Sequence, residues 1–366
     1  MEKILVGMSG GVDSSAAALL LKQAGYDITG MTMRLKPRYM LTQAQADAMD
    51  KEVADAAAVC AKLGIPHIAP DFSPQFEEKV IAPFIAAYKR GETPNPCFLC
   101  NQTVKFGIML DWALENGFDK VATGHYARIV TENGRALLLK SPDKKDQSYF
   151  LSGLTNRQLA HTLIPLTRMG KEEARALAEE HGLPVANKPD SQEICFIPGN
   201  DYVRFLEQFG GELPGPGNFV SPAGEVLGKH SGIHRYTVGQ RKGLGITFGE
   251  PRFVTAINGE DQTVTLGKNE DCLTRNVNIR NINLILTDAL TEPYRVPGVE
   301  NAFADGTPCA KLYKEIYEAN QRLCARLGQQ DDDPDVELII NNLLSITNLL
   351  CLKMYHYAQI TTAAEP

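Results

Sequence analysis

The sequence contains no run of about 18 consecutive apolar residues, the length a membrane-spanning helix requires. Its nearest approach, Val336 to Tyr355, is interrupted by Asn341, Asn342, Ser345 and Asn348. An excess of positive charge is absent too. The formal net charge is −7 over 366 residues, so the chain as a whole is no polycation shaped for nucleic acid. Nothing resembling a leader separates Met1 from the first apolar stretch, Ile4-Leu5-Val6-Gly7-Met8, and the expectation is a cytoplasmic protein with no membrane partner. Its eight cysteines are therefore expected as free thiols, not as a disulfide scaffold. Only one Cys-x-x-Cys pair occurs, so a structural zinc, which takes four nitrogen or sulfur ligands, would have to recruit distant residues. No internal repeat is found.

What is present begins at once. The apolar stretch runs into Ser9-Gly10-Gly11-Val12-Asp13-Ser14-Ser15 and then a helix-forming run from Ser14 through Leu21. A glycine-rich turn between strand and helix aims backbone N–H groups and the helix dipole at an anion. No Gly-Lys-Ser/Thr follows, which excludes the Walker pattern. Asp13 is suited to help hold a metal accompanying phosphate. Strand-like and helical stretches then alternate: Ile28 to Met33, a long helix Gln43 to Leu63, His67 to Ala69, a helix Phe76 to Lys89, and Lys120 to Gly124. This predicts an α/β fold, a parallel sheet with helices on both faces, with ligands outside the carboxyl ends of the strands near Ser9, Met33 and Gly124.

The texture changes after Ile197-Pro198-Gly199. Asp201 to Phe209 reads as a short helix. Gly228 to Gly243 carries Lys229, Arg235, Arg241 and Lys242 with His230 and His234 and no acid, a local patch suited to phosphates. Phe253 to Ile257 and Thr263 to Gly267, around Asn258-Gly259, predict a β-hairpin, and Asn276 to Leu286 is strand-like. From Val299 onward there are five Lys/Arg against ten Asp/Glu. There Lys311 to Leu327 and a helix opened by Asp333-Pro334 predict an acidic α-hairpin. The segments are thus 1–198, 199–247, 248–298 and 299–366.

Cys97 and Cys100 lie in Thr93-Pro94-Asn95-Pro96-Cys97-Phe98-Leu99-Cys100-Asn101, and Cys195 in Asp190-Ser191-Gln192-Glu193-Ile194-Cys195-Phe196. The two prolines predict a loop that presents the first pair. A third thiol from far along the chain permits a persulfide with a resolving thiol, or three ligands of an iron–sulfur cluster. Cys60, Cys272, Cys324 and Cys351 have apolar or helical neighbours and read as packing residues.

The order and number of these segments resemble the tRNA-specific 2-thiouridylases (the MnmA family, PP-loop ATPases) over about the first 290 residues. The likeness rests on Gly7 to Ser15, Leu63 to His67, Gly91 to Asn101, Lys105 to Gly107, Ala122 to Arg128, Lys145 to Leu151, Asp190 to Phe196 and Gly228 to Gly245. It implies a PP-loop (Rossmann-like) catalytic domain at 1–198, a central tRNA-binding domain at 199–247 and a partial β-barrel at 248–298. ATP, with Mg2+, would occupy Gly7, Met8, Ser9, Gly10, Gly11, Val12, Asp13 and Ser14, with Met33 and Gly124 at the adenosine. The resemblance further implies adenylation of the wobble uridine's 2-oxygen, a persulfide on Cys195 and Cys100 as the partner thiol, ending in a Cys100–Cys195 disulfide. It would place Asn95, Pro96 and Cys97 at the target base and His125, Lys145, Asp146 and Gln147 on the tRNA. The sulfur would come from a cysteine desulfurase or a sulfur-relay protein.

Two departures accompany the likeness. Cys97 stands where the family often has Asp, which makes a [4Fe–4S] site on Cys97, Cys100 and Cys195 easier to build. The family's Arg-Tyr and Pro-Gly-Gln…Val-Phe-Tyr elements are missing beyond Leu286, and the acidic hairpin stands in their place. Loss of barrel elements would leave an impaired tRNA-binding or scaffold protein as an alternative.

Overall fold

The computed structural model describes residues 1–132, 134–188, 194–272 and Asn283. The expectations for Asn276 to Leu286, apart from Asn283, and for the hairpin beyond Val299 lie outside the described residues. The chain divides into two units, Met1–Cys272 and Leu273–Pro366, and all that follows concerns the first.

Strand β1 (Lys3–Gly7) has Ile4, Leu5 and Val6 fully buried, as a central strand covered on both faces must. β2 (Asp27–Met31), β3 (His67–Ile68), β4 (Lys120–Ala122) and β7 (Thr162–Leu163) join it in a five-stranded sheet of order β3-β2-β1-β4-β7. Every pairing is parallel. Between β4 and β7 the chain makes an antiparallel hairpin, β5 (Arg128–Glu132) with β6 (Arg135–Leu139), which the sequence pattern did not announce. The winding runs outward from β1 to β3, then returns to place β4 on the other side of β1. That reversal is a topological switch point, where the loops after β1 and β4 diverge and leave a crevice.

Helix α1 (Val12–Gln23) opens two residues earlier than its apolar run suggested and buries Val12, Ser14 to Leu19 and Leu21 between the sheet and the helix Lys171–Glu180. Helix α2 (Gln43–Leu63) has the expected bounds because both ends are written locally. A Thr42/Gln45 capping box starts it, and Gly64 at φ 63° takes the left-handed position that ends it. The predicted strand Ile28 to Met33 stops at Met31, and the helical stretch up to Lys89 contains a π-helical turn at Glu77–Ile81.

One prediction is corrected outright. The Cys97/Cys100 segment is not a loop: Pro96–Cys100 is helical and continues through Asn101–Ile108 and Met109–Glu115. Asn95 caps it, its Oδ1 accepting from the Phe98 N–H at 3.1 Å. Pro96 occupies the first turn, where a missing N–H costs nothing. The proline that seemed to break the helix starts it.

A second sheet has the order β10-β11-β8-β9, formed by β8 (Gly217–Val220), β9 (Val226–His230), β10 (Phe253–Asn258) and β11 (Thr263–Gly267). The expected hairpin β10–β11 is present. β11 also pairs in parallel with β8, so strands from either side of the 247/248 boundary share one sheet and the core of Phe219, Ile233, Val254, Val264 and Leu266.

Candidate active site

The loop after β1 is held open from within. Ser9 N–H donates to Ser14 Oγ at 3.2 Å, and Ser15 Oγ donates to the Gly11 carbonyl at 2.8 Å. Gly10 sits at φ +68°, and a Cβ there would lie 2.5 Å from the Glu52 carbonyl oxygen on α2, so only glycine fits this bend. Gly11 is the N-cap of α1 and brings no side-chain cap, so the first-turn N–H groups of α1 get no partner from it. Gly124, just past β4, closes the crevice. A Cβ on it would meet Asp13 C and Ser14 N at 2.5 Å. Met33 packs at the edge of the aromatic cluster described below.

Asp13 is the electrostatic centre. Tyr126 Oη donates to its Oδ1 at 2.7 Å, Lys171 Nζ lies 2.6 Å from the same oxygen, and Lys145 Nζ lies 3.5 Å from Oδ2. Two ammonium groups thus converge on one carboxylate at the head of α1. Lys145 was expected on the tRNA and not beside Asp13, and the sequence reading did not single out Lys171 or Tyr126. Tyr126 lies within the quoted His125–Arg128 motif, but Lys171 is an unremarkable first residue of the helix Lys171–Glu180.

Three more of the residues expected on the tRNA are hydrogen-bonded within the fold. Asp146 Oδ1 accepts from the Ser141 N–H at 2.7 Å and Oδ2 from Ser148 Oγ at 2.7 Å. Gln147 Oε1 accepts from the Tyr126 N–H at 3.0 Å. Both hold the turn that presents Lys145. His125 is buried, its Nδ1 2.8 Å from Thr123 Oγ1 and its ring against Phe106. Burial, with Lys105 nearby, pushes it well below the ordinary histidine range, so it is neutral.

The cysteines converge through packing. Phe76, Phe84, Phe196 and Phe205 form an edge-to-face aromatic cluster, and the same apolar core contains Cys100, Phe196 and Ile197. The flanking side chains of Cys195 are therefore seated beside Cys100. Burial pushes the Cys100 thiol up to about 12, Lys105 opposes this, and Cys195 and Cys97 add to it. The Cys195 thiol is also raised, first by the protein mass around it, while Lys105 and Lys36 pull it down. Solvent still reaches Cys195 and Cys97, and Cys100 is buried. Glu52 and Cys97 also act on Cys195, and Glu52 is the residue whose carbonyl abuts Gly10. The thiols and the phosphate loop thus share a neighbourhood. Among the described residues no group of three His, Cys, Asp or Glu is arranged to hold a metal ion.

In the second sheet region, a cavity of about 870 Å³ is lined by Arg204, Arg235, Gln240, Gly239, Gly243 and Gly245, among others. The basic patch needs one correction. His230 and His234 are buried, and burial lowers both below the usual histidine range, so neither adds charge to the surface. Arg235 pairs with Glu207.

A parallel sheet with a glycine–serine loop and an aspartate at its switch point defines a nucleotide-binding α/β protein of the PP-loop class. Residues 2–199 match the tRNA methyl transferase HUP domain family and residues 203–268 the tRNA methyl transferase PRC-barrel domain family. The chain is 48% identical over 299 residues to the tRNA-specific 2-thiouridylase MnmA of Clostridioides difficile, covering 81% of this chain and 83% of that protein. The proteins of the same name from Lachnoclostridium phytofermentans and Treponema denticola are 45% and 44% identical. They cover 84% and 78% of this chain, and 88% and 78% of their own lengths. This chain belongs to the MnmA family of tRNA-specific 2-thiouridylases.

Proposed function

We propose that the protein is a tRNA-uridine 2-sulfurtransferase that spends ATP to replace the 2-oxygen of the wobble uridine by sulfur. The reading is supported by the seating of Cys100 and the neighbours of Cys195 in one apolar core, together with a glycine–serine loop at the head of α1 where Lys145 and Lys171 meet Asp13.

In this reading the triphosphate lies on the N–H groups at the head of α1, and Lys145 and Lys171 neutralise it. Mg2+ on Asp13 would shield the pyrophosphate as it leaves. The uridine 2-oxygen attacks the α-phosphorus, pyrophosphate departs, and AMP becomes the leaving group at C2. The terminal sulfur of a Cys195 persulfide attacks C2 and AMP leaves. Cys100, as thiolate, then attacks Cys195 Sγ and breaks the sulfur–sulfur bond, so the outer sulfur stays on the base. The product is 2-thiouridine plus a Cys100–Cys195 disulfide, and an external dithiol returns both thiols. Exposure of Cys195 suits loading by a separate persulfide donor protein, and burial of Cys100 keeps it protonated until it is needed. Asn95 to Cys97 border the flipped base, and the basic face around Lys229, Arg241 and Lys242 meets RNA phosphates.

The test is a thiolation assay with ATP, a persulfide donor and tRNA. The parent is expected to yield AMP and 2-thiouridine. Cys100→Ser and Cys195→Ser should still form AMP without thiouridine, and Asp13→Ala should lose both. A Cys195→Ser protein that thiolates at the parental rate would overturn the mechanism.

A further inference from the structure

Three carbonyls of the loop between β1 and α1 are held by side-chain donors. Thr32 Oγ1 donates to the Met8 carbonyl at 2.9 Å, Lys188 Nζ to the Gly10 carbonyl at 2.9 Å, and Ser15 Oγ to the Gly11 carbonyl at 2.8 Å. Thr32 directly follows β2, and Ser15 is in the first turn of α1. Lys188 comes from 178 residues along the chain and is the charged donor of the three. In a trans peptide the carbonyl and the next N–H point in opposite directions. Holding the Gly10 carbonyl toward Lys188 therefore turns the Gly11 N–H, at the N-cap of α1, the other way. The ammonium also polarises the amide it holds, which makes that N–H a stronger donor to an anion.

Lys188 is itself fixed at both ends. Its N–H donates to the Val185 carbonyl at 3.0 Å, and Arg175 Nη1 donates to the carbonyls of Ala186 at 2.6 Å and Lys188 at 3.2 Å. Its ammonium also donates to Asp55 Oδ2 at 3.0 Å, and Asp55 is on α2, where Lys51 holds the other oxygen at 3.0 Å. Burial pushes the Asp55 carboxyl up, but the bonds from Lys51 and Lys188 outweigh it and hold the group below the usual range. Asp55 is thus an ionised partner that sets the direction of the Lys188 ammonium.

We propose that Lys188 is a positioning residue for phosphate recognition, aiming and strengthening the Gly11 N–H at the head of α1 through its bond to the Gly10 carbonyl. The inference rests on the reading above that ATP occupies this loop. Lys188 acts through a peptide that meets phosphate, not the nucleoside. Its loss should therefore weaken ATP and leave adenosine unaffected, whereas a general loosening of the fold would weaken both.

The experiment measures dissociation constants for ATP and for adenosine by titration calorimetry. It uses the full-length parent, Lys188→Met, Lys188→Arg and Asp55→Asn, with circular dichroism to verify folding. Losing a charge-assisted bond at this site should raise the dissociation constant for ATP about tenfold in Lys188→Met, with that for adenosine unchanged. Lys188→Arg, which keeps the charge, should restore much of the parental affinity, and Asp55→Asn should fall between. A Lys188→Met protein that binds ATP as the parent does, or that loses ATP and adenosine by the same factor, overturns the proposal. If Lys188→Met does not fold, Asp55→Asn with parental ATP affinity overturns it instead. A parent that binds ATP no more tightly than adenosine overturns the ATP reading itself.

Discussion

Cys97 and Cys100 are three residues apart in one helix, yet the first faces solvent and the second lies in an aromatic core. Reactivity should follow that difference, since only thiolate attacks. With its thiol pushed up to about 12, Cys100 stays protonated through the range where an ordinary thiol ionises, and its thiolate fraction at neutral pH is lower by about 10³. The sign follows: iodoacetamide modification of Cys100 should keep accelerating as pH rises past 9, whereas that of an ordinary thiol levels off. Peptide mass time courses between pH 7 and 11 read this out, and a Cys100 rate that saturates near pH 9 contradicts the burial argument. At this scale the sequence set Cys97, Cys100 and Cys195 apart only by their polar and proline-marked neighbours. It did not show which of them is buried, because that depends on Phe196 and Phe84 arriving from elsewhere in the chain.

Among the elements, the meeting of β4's end with the head of α1 is the tightest constraint. Gly124 presses on the Asp13–Ser14 peptide with no room for a methyl group. Gly124→Ala should lower stability by about 1–3 kcal/mol and raise the KM for ATP, because the peptide that must shift carries Asp13. Gly249→Ala, with nothing within 4 Å of the added atom, is the control for adding a methyl at a glycine. Urea melts and ATP kinetics on both proteins check the expectation, and equal behaviour of the two would remove Gly124 from the site. Elements with local stop and start signals were legible: α2 carries its capping box and its terminal glycine in the sequence. The Pro96–Cys100 helix was misread because a proline in the first turn and a proline that breaks a helix look alike until the Asn95 cap is seen.

For the molecule as a whole, the unit Met1–Cys272 holds all three described sheets and every described site residue. A chain cut after Cys272 is expected to unfold in one cooperative transition and to keep ATP binding. Thermal denaturation followed by circular dichroism, with and without ATP, tests this. A protein that melts without a transition would show that the unit depends on residues beyond it. The acidic segment 299–366 lies outside the described residues, and a chain cut after Gly298 measures its effect on thiolation.

The sequence by itself determined the parallel α/β class, the glycine–serine turn after β1 and the ends of helix α2, because each rests on near neighbours: apolar runs, glycine freedom and caps. Tertiary structure alone decided that Asp13 collects Lys145, Lys171 and Tyr126. It also decided that His125, His230 and His234 are buried and neutral, and that Lys188 reaches back to Gly10. Those facts depend on which distant side chains share a low-dielectric space. Charge, burial and hydrogen bonding act through space, and the order of residues along the chain does not record that distance.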